Sequence, residues 1–369
     1  MHRRNFIHAG LAMTAASVIA GCVGDEPATA DNPNTDEQDT AENGFPSYDV
    51  PLHGEWIPTE SQDPEATGVY FTHIDWDAIT ALDDDEDPEG DEDVSDAVEH
   101  LPIIGLPLYG ALISPLAVFG IMFYPFAEGV LPEEGEEVDG VETTAMTWTD
   151  DTLIFHGTYD QEVFEAQYAE DFTATDERNG FTIFLGEDFA DGMAYAVAED
   201  TLVVGMESGE EADYTPEEVV IGAIDRRIDE VDRVVDADDG TWLFETTGDA
   251  QMAFGTWETD DLGEALDTDE EVDTDEEGAE DDSDIDDNPV FDDVESLVNN
   301  LVYDVEDGEM VDLEARFAAI YPDDAVPSED EVVEYLVGDE SVPHEIHIDG
   351  NRVHAIASFD ERPDDPETI

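Results

Sequence analysis

The chain has 369 residues and carries 103 acidic residues against nine basic ones, a formal net charge of −94 at pH 7. All nine basic residues are arginines, which excludes lysine-dependent chemistry such as Schiff-base formation, and the lack of a basic patch excludes nucleic acid as a partner. So high a charge is typical of disordered chains, but 40% of the residues are hydrophobic and periodically spaced, which indicates a folded body with acid on its outside.

The N-terminus predicts an export signal. Arg3 and Arg4 stand together before a weakly apolar stretch, which is the layout of a twin-arginine (Tat-type) signal peptide over residues 1–21. Cys22 follows Val-Ile-Ala-Gly, as a lipobox requires, and it is the only cysteine. We therefore expect lipid on Cys22 to hold the protein at a membrane, with residues 22–45 as a flexible acidic spacer. A lone cysteine also excludes disulfides within the chain.

Together these features resemble the Tat-exported lipoproteins of haloarchaea. The resemblance rests on Arg3 and Arg4, the lipobox ending at Cys22, the acidic spacer and the lysine-free body. At molar salt the Debye length falls to about 3 Å, so most of the repulsion among the carboxylates is screened. The resemblance implies export and lipid anchoring at the outer face of the cytoplasmic membrane, and it assigns no reaction.

A long uncharged run, residues 101–126, interrupts a main domain that we place at residues 46–258. The run is long enough to cross a hydrocarbon core, but Pro107 and Pro115 break helical hydrogen bonding within it. Three interpretations stay open. The run is a buried, kinked helix or helical hairpin, a segment resting on the membrane, or a transmembrane helix.

The rest of the main domain predicts an α+β fold with an antiparallel sheet. The order of elements is close to a ferredoxin-like arrangement with extra strands, which places the helices on one face. Helices are expected over residues 76–82, after a cap at Asp160, and from the cap at Thr215. Strands are expected over residues 68–75, 152–158, 180–185, 193–199, 201–206, 241–246 and 251–257.

A small ββαββ module is predicted at the C-terminus, over residues 289–360, behind an acidic linker at residues 259–288; it forms a small second domain or completes the sheet of the main domain. Its helix opens with a capping box at Ser328. Its strands are expected over residues 296–307, 309–321, 344–348 and 352–359.

The best candidate for chemistry is the last hairpin of this module. On a strand Glu345, His347 and Asp349 share one face. If Gly350-Asn351 is the turn, His347 lies opposite His354, and Glu345, His347 and His354 form a candidate zinc or copper site. A turn shifted by one residue sets His354 opposite Glu345 instead. The alternative interpretation is that all of these are plain exposed strand residues.

Two acidic loops match a degraded EF-hand pattern. In both, the twelfth position is Asp rather than the bidentate Glu, and such matches arise by chance in so acidic a chain. We expect loosely bound cations here and no cofactor. The matching residues are Asp85, Asp87, Glu89 and Asp96 in the first loop, and Asp273, Asp275, Glu277 and Asp284 in the second.

The sequence has no nucleophile elbow, P-loop or dinucleotide-binding motif, and we assign no catalytic residue. The leading hypothesis is a non-enzymatic binding or envelope-associated module for an unknown protein or small-molecule ligand. One alternative is the solute-binding subunit of a transporter, which predicts two βαβ lobes with a cleft between them. The other is a metal-dependent hydrolase, which predicts that His347, His354 and a carboxylate converge.

Overall fold

The structure of the protein, a computed structural model, is built on one wide antiparallel sheet. Within the described residues this sheet has twelve strands, and every neighbouring pair is antiparallel. The described residues are 39–40, 44–61, 66, 68–80, 102–112, 140–149, 152–168, 172–186, 192–206, 214–229, 231–259, 288–291, 293–306, 309–338 and 341–359.

The strands are numbered in chain order. The pair β1 and β2 stands apart, and the large sheet runs from edge to edge in the order β13-β14-β12-β11-β10-β3-β4-β5-β9-β8-β7-β6. The bounds are β1 Asp39–Thr40, β2 Pro46–Ser47, β3 Val69–Asp75, β4 Val141–Thr149, β5 Thr152–Tyr159, β6 Phe172–Arg178, β7 Phe181–Gly186, β8 Met193–Val197, β9 Thr201–Met206, β10 Met252–Trp257, β11 Ser296–Glu306, β12 Glu309–Ile320, β13 His344–Asp349 and β14 Arg352–Phe359.

The helices begin where their caps predict. Thr215 and Glu218 form a capping box, as do Ser328 and Glu331, and Asp160 accepts the amide protons of the next helix. The helices are α1 Trp76–Thr80, α2 Pro102–Leu112, α3 Gln161–Tyr168, α4 Pro216–Asp229, α5 Asp238–Thr247 and α6 Glu329–Val332, which continues as a π-helical turn Val333–Val337; short 3₁₀ turns span Leu52–Trp56 and Val234–Asp236.

Helices cover both faces of the sheet, so the predicted placement on one face is wrong. Side chains alternate along each strand, and both sets are apolar. On the first face Phe254, Phe317 and Tyr195 pack with helices α2 and α3. On the second face Phe71 and Val203 pack with helices α5 and α4 respectively. A sheet that is apolar on both sides requires a cover on each.

The strands of the predicted C-terminal module belong to the same large sheet. Strand β10 pairs directly with β11, with Met252 opposite Leu301, so the acidic segment 260–287 connects two neighbouring strands. The predicted mixture of helices with an antiparallel sheet is confirmed, whereas a separate C-terminal module is not.

Residues 241–246, predicted as a strand, lie within helix α5. Thr and Trp in this stretch favour a strand locally. In the helix, however, Gly240, Leu243, Phe244 and Thr247 fall on one buried side against strands β11 and β12. Tertiary burial therefore outweighs the local preference.

Helix α2 accounts for the first part of the apolar run at residues 101–126. Residues 102–108 are all buried, and the helix contacts strands β3, β10, β11 and β12 on the first face. For these residues the core interpretation is confirmed; residues 113–126 lie outside the described part of the chain. Among the described helices, none is long and apolar enough to span a membrane.

Gly157 supplies a test of the sheet geometry. It pairs with Thr143 beside a β-bulge in β4, and a Cβ there would stand 1.8 Å from the Glu142 carbonyl oxygen. We expect Gly157→Ala to lower the free energy of unfolding by about 3 kcal/mol, measured by denaturant titration in molar salt. The matched control is Gly222→Ala in helix α4, where a Cβ meets no atom within 4 Å, and which we expect to stabilise by about 0.5–1 kcal/mol. Equal effects from the two changes would contradict this packing.

Candidate functional site

The polar groups of most interest lie on the second face of the sheet, as two groups of histidines. The C-terminal histidine pair is His347 and His354, on the last two strands. The central histidine cluster is His53, His73 and His156, under the 3₁₀ turn Leu52–Trp56. The sequence predicted the first group and missed the second.

The hairpin register of the C-terminal histidine pair is the first of the two that the sequence left open. Asp349 pairs with Arg352 and His347 with His354, so Gly350-Asn351 is the turn. Gly350 has φ +64°, which a glycine adopts without steric cost at the first position of such a turn. Since Ala318, the partner of His354 on β12, packs in the second-face core, both imidazoles lie on that face.

The two imidazoles of the pair are close and nearly parallel. Their ring centroids are 6.0 Å apart with an interplanar angle of 15°, and the Phe45 ring stands edge-on to both, at 6.1 and 6.4 Å. His354 is fully buried and His347 half-buried. Neither ring nitrogen of His354 has a hydrogen-bond partner among the described residues. Burial, followed by His347 and Arg316, lowers the pKa of His354 to about 3, so its ring is neutral at pH 7.

The third residue of the predicted metal site is near this pair without completing it. Glu345 is exposed and pairs with Ile356, and this is the residue pair next to His347 and His354 on the same face of the hairpin. Within the described residues no group of three or more His, Cys, Asp or Glu side chains is placed to hold a metal ion. The pair therefore offers two imidazoles as ligands, and a third ligand from the described residues is not in place.

The central histidine cluster forms where the 3₁₀ turn meets strands β3 and β5. His53 stacks on His73 with ring centroids 4.3 Å apart, and the Nδ1 of His73 is 2.9 Å from the Thr147 hydroxyl. His156, two strands away on the same face, packs against Trp56 at 6.2 Å. Among the described residues, the two ring nitrogens of His53 have no hydrogen-bond partner, and the Nε2 of His156 has none either.

These three rings are neutral at pH 7. Burial, with a smaller contribution from His156, lowers the pKa of His53 to about 3. Burial lowers the pKa of His156 to about 4, with Asp200 opposing and Arg227 adding to the shift. The pKa of His73 lies well below its usual range, mainly through burial. The cluster therefore resists protonation, and it adds no charge to the core at neutral pH.

The 3₁₀ turn is held in place by contacts on both sides. Glu55 forms an ion pair with Arg227 of helix α4 at 2.5 Å. A Cβ on Gly54 would stand 3.1 Å from the Phe244 ring, so glycine allows the turn to approach helix α5 closely. The turn is thus fixed between the two helices of the second face.

The remaining predicted residues lie outside the described part of the chain. These are Arg3, Arg4 and Cys22 of the export signal and the eight acidic residues of the calcium-like loops, Asp85, Asp87, Glu89, Asp96, Asp273, Asp275, Glu277 and Asp284.

The chain was compared with family models, curated proteins and solved structures, and only solved structures are similar to it. No family model matches the chain, and no curated protein matches it. Two solved structures are similar, both of a protein called TP0453. Crystal form I is 10% identical with a TM-score of 0.36, over 84% of this chain and 94% of that one. Crystal form IV is 9% identical with a TM-score of 0.34, over 83% of this chain and 96% of that one. Similarity this distant assigns this chain no function.

Proposed function

We propose that this protein is a lipid-anchored binding protein that acts outside the cytoplasmic membrane of a salt-loving microorganism. The observation that carries the proposal is the position of Cys22, the only cysteine, directly after Val-Ile-Ala-Gly and behind the pair Arg3 and Arg4. The net charge of −94 supports the saline setting, because molar salt screens the repulsion that such a charge produces.

Binding rather than catalysis is supported by the polar groups of the second face. His53 and His354 are buried imidazoles whose nitrogens have no hydrogen-bond partner among the described residues. Buried polar groups normally have partners, so unpartnered nitrogens favour a role in holding a ligand. The ligand class we favour is a small molecule or ion, reached from the half-exposed side of the C-terminal histidine pair.

The two alternative functions receive less support. A transporter subunit with two βαβ lobes is not favoured by a sheet in which every described neighbour pair is antiparallel. A metal-dependent hydrolase needs a carboxylate with His347 and His354, and the two carboxylates of strand β13 on their face, Glu345 and Asp349, do not form a metal-holding group with them among the described residues. A ferredoxin-like arrangement of the central strands and a C-terminal module over residues 289–360 remain predictions from the sequence pattern.

Fractionation of a haloarchaeal host that expresses the full chain tests the anchoring. We expect the wild-type chain in the membrane fraction and Cys22→Ser in the soluble exported fraction, because only the lipid is removed. The charge-conserving double change Arg3→Lys with Arg4→Lys is the matched control, and we expect it to leave an uncleaved precursor inside the cell. Full retention of Cys22→Ser in the membrane fraction would overturn the proposal.

A further inference from the structure

We propose that the C-terminal histidine pair, His347 and His354, binds one divalent first-row transition-metal ion of the copper, nickel or zinc type. The two imidazoles supply two ligands and water supplies the others. This inference concerns the folded body, so it holds or fails independently of whether Cys22 carries lipid.

The spacing of the two rings suits one ion between them. A metal–nitrogen bond to histidine is about 2.0–2.1 Å, so an ion that joins two imidazoles holds their ring centres roughly 5–6.5 Å apart. The measured separation of 6.0 Å lies in this range. The rings are nearly parallel, so sharing one ion requires the half-buried ring of His347 to rotate toward His354. In the central histidine cluster, by contrast, His53 and His73 are stacked face to face at 4.3 Å, which is too close for an ion between them.

The unpartnered nitrogens of His354 supply a separate reason. A buried polar atom without a hydrogen bond destabilises the folded state. Among the described residues, neither ring nitrogen of His354, a side chain at 0% exposure, has a hydrogen-bond partner. A metal ion on one nitrogen removes part of this cost, and the neutral imidazole is the form that binds metals.

The charges around the pair act in both directions: Arg316 opposes a positive charge at His354, whereas the net charge of the chain attracts cations. The two nearby arginines are already paired, because Arg316 donates to Glu314 at 2.6 Å and Arg352 donates to Asp239 at 2.6 Å. The net charge of −94 attracts cations to the surface, and the half-buried side of His347 gives an entry path. The buried ring of Phe45 provides an apolar wall against both imidazoles.

Copper(II) titration of the full-length chain in molar salt, followed by electron paramagnetic resonance, tests the proposal. We expect about one Cu²⁺ per chain with nitrogen hyperfine splitting from imidazole, since copper is the strongest binder of this series. The many surface carboxylates bind Cu²⁺ through oxygen alone, and their spectrum lacks this splitting. The nitrogen signal therefore separates the site from background binding.

A matched pair of variants locates the site. We expect His347→Ala to weaken the nitrogen-ligated site on the order of 10- to 100-fold or more, because a direct ligand is lost. The control is His344→Ala. The imidazole of His344 lies on the opposite face of the same strand, with its Nδ1 2.7 Å from the Val342 carbonyl oxygen. We expect this change to leave copper binding at the nitrogen-ligated site unchanged. His347 is half-buried, and circular dichroism of both variants checks that they fold. An oxygen-only spectrum of the wild-type chain, or a nitrogen signal that survives in folded His347→Ala, would overturn the proposal.

Discussion

Replacing His53 by Phe is expected to reduce, by about 2–3 kcal/mol, the free energy of unfolding that the protein loses between pH 7.5 and pH 4.5. Burial holds the pKa of His53 at about 3, against about 6.5 in the unfolded chain. Below pH 6.5 the His53 imidazole is therefore protonated in the unfolded chain, whereas it stays neutral in the native state down to about pH 3. The stability that neutral His53 contributes is complete above pH 6.5, and it is lost as the pH falls from 6.5 toward 3.

Two further imidazoles lie near His53 on the second face. His73 from strand β3 stacks on it, and His156 from strand β5 further lowers its pKa. On its own 3₁₀ turn, Glu55 is paired with Arg227 of helix α4 and is not free to neutralise a protonated ring. A proton on His53 would thus enter an apolar site beside other imidazoles. Phe keeps the stacking on His73 and carries no titratable group.

Unfolding by urea at pH 7.5 and pH 4.5 in molar salt measures this effect. The parent chain also contains 103 carboxyl groups that protonate near pH 4, so the quantity to compare is the difference between variant and parent at each pH. The matched control is Leu52→Phe in the same 3₁₀ turn, which removes no titratable group, so we expect its difference from the parent to be the same at both pH values. If His53→Phe showed the same difference at both pH values, His53 would not be a buried neutral imidazole.

Replacing Leu106 by Ala is expected to lower the free energy of unfolding by about 3 kcal/mol. Leu106 lies in the middle of helix α2, is 1% exposed, and belongs to the first-face core. Truncating a leucine in such a site loses the burial of its apolar atoms and leaves a cavity. A helix that only rested on a membrane would lose far less, so the magnitude distinguishes the core interpretation of residues 102–112 from the membrane-resting one.

The control for this change is Leu52→Ala. Leu52 is 51% exposed in the 3₁₀ turn on the second face, and an exposed truncation usually changes stability by no more than about 0.5 kcal/mol. Both variants are to be unfolded with denaturant in molar salt, without detergent, so that only packing is compared. A loss below about 1 kcal/mol for Leu106→Ala would show that helix α2 is not part of the core.

Local chemistry made several elements predictable from the sequence. The capping boxes at Thr215 and Ser328 locate the starts of helices α4 and α6, because the cap satisfies amide protons within a few residues. The alternation of His344 to Ile348 and the turn residues around Gly350 narrow the hairpin to two registers, since register follows from the turn. In the structure Gly350-Asn351 is the turn, which sets His347 opposite His354.

The central histidine cluster was not predictable in this way. His73 and His156 occupy alternating positions of predicted strands, but they become neighbours only through the pairing of β3, β4 and β5. His53 joins them from a turn about 20 residues earlier, where no periodicity marks it. Histidines in the buried register of two strands were the one available signal, and it carries no information about which strands become neighbours.

The sequence by itself predicted the export signal and the acidic exterior, determined most strands, and narrowed the register of the last hairpin to two, because each depends on composition or on residues close together in the chain. Only the tertiary structure decided that one sheet holds the strands on both sides of residues 260–287, that both faces are covered, and that residues 241–246 are helical. These features depend on which apolar faces meet. That choice is made by burial between residues far apart in the chain, which local preferences do not encode.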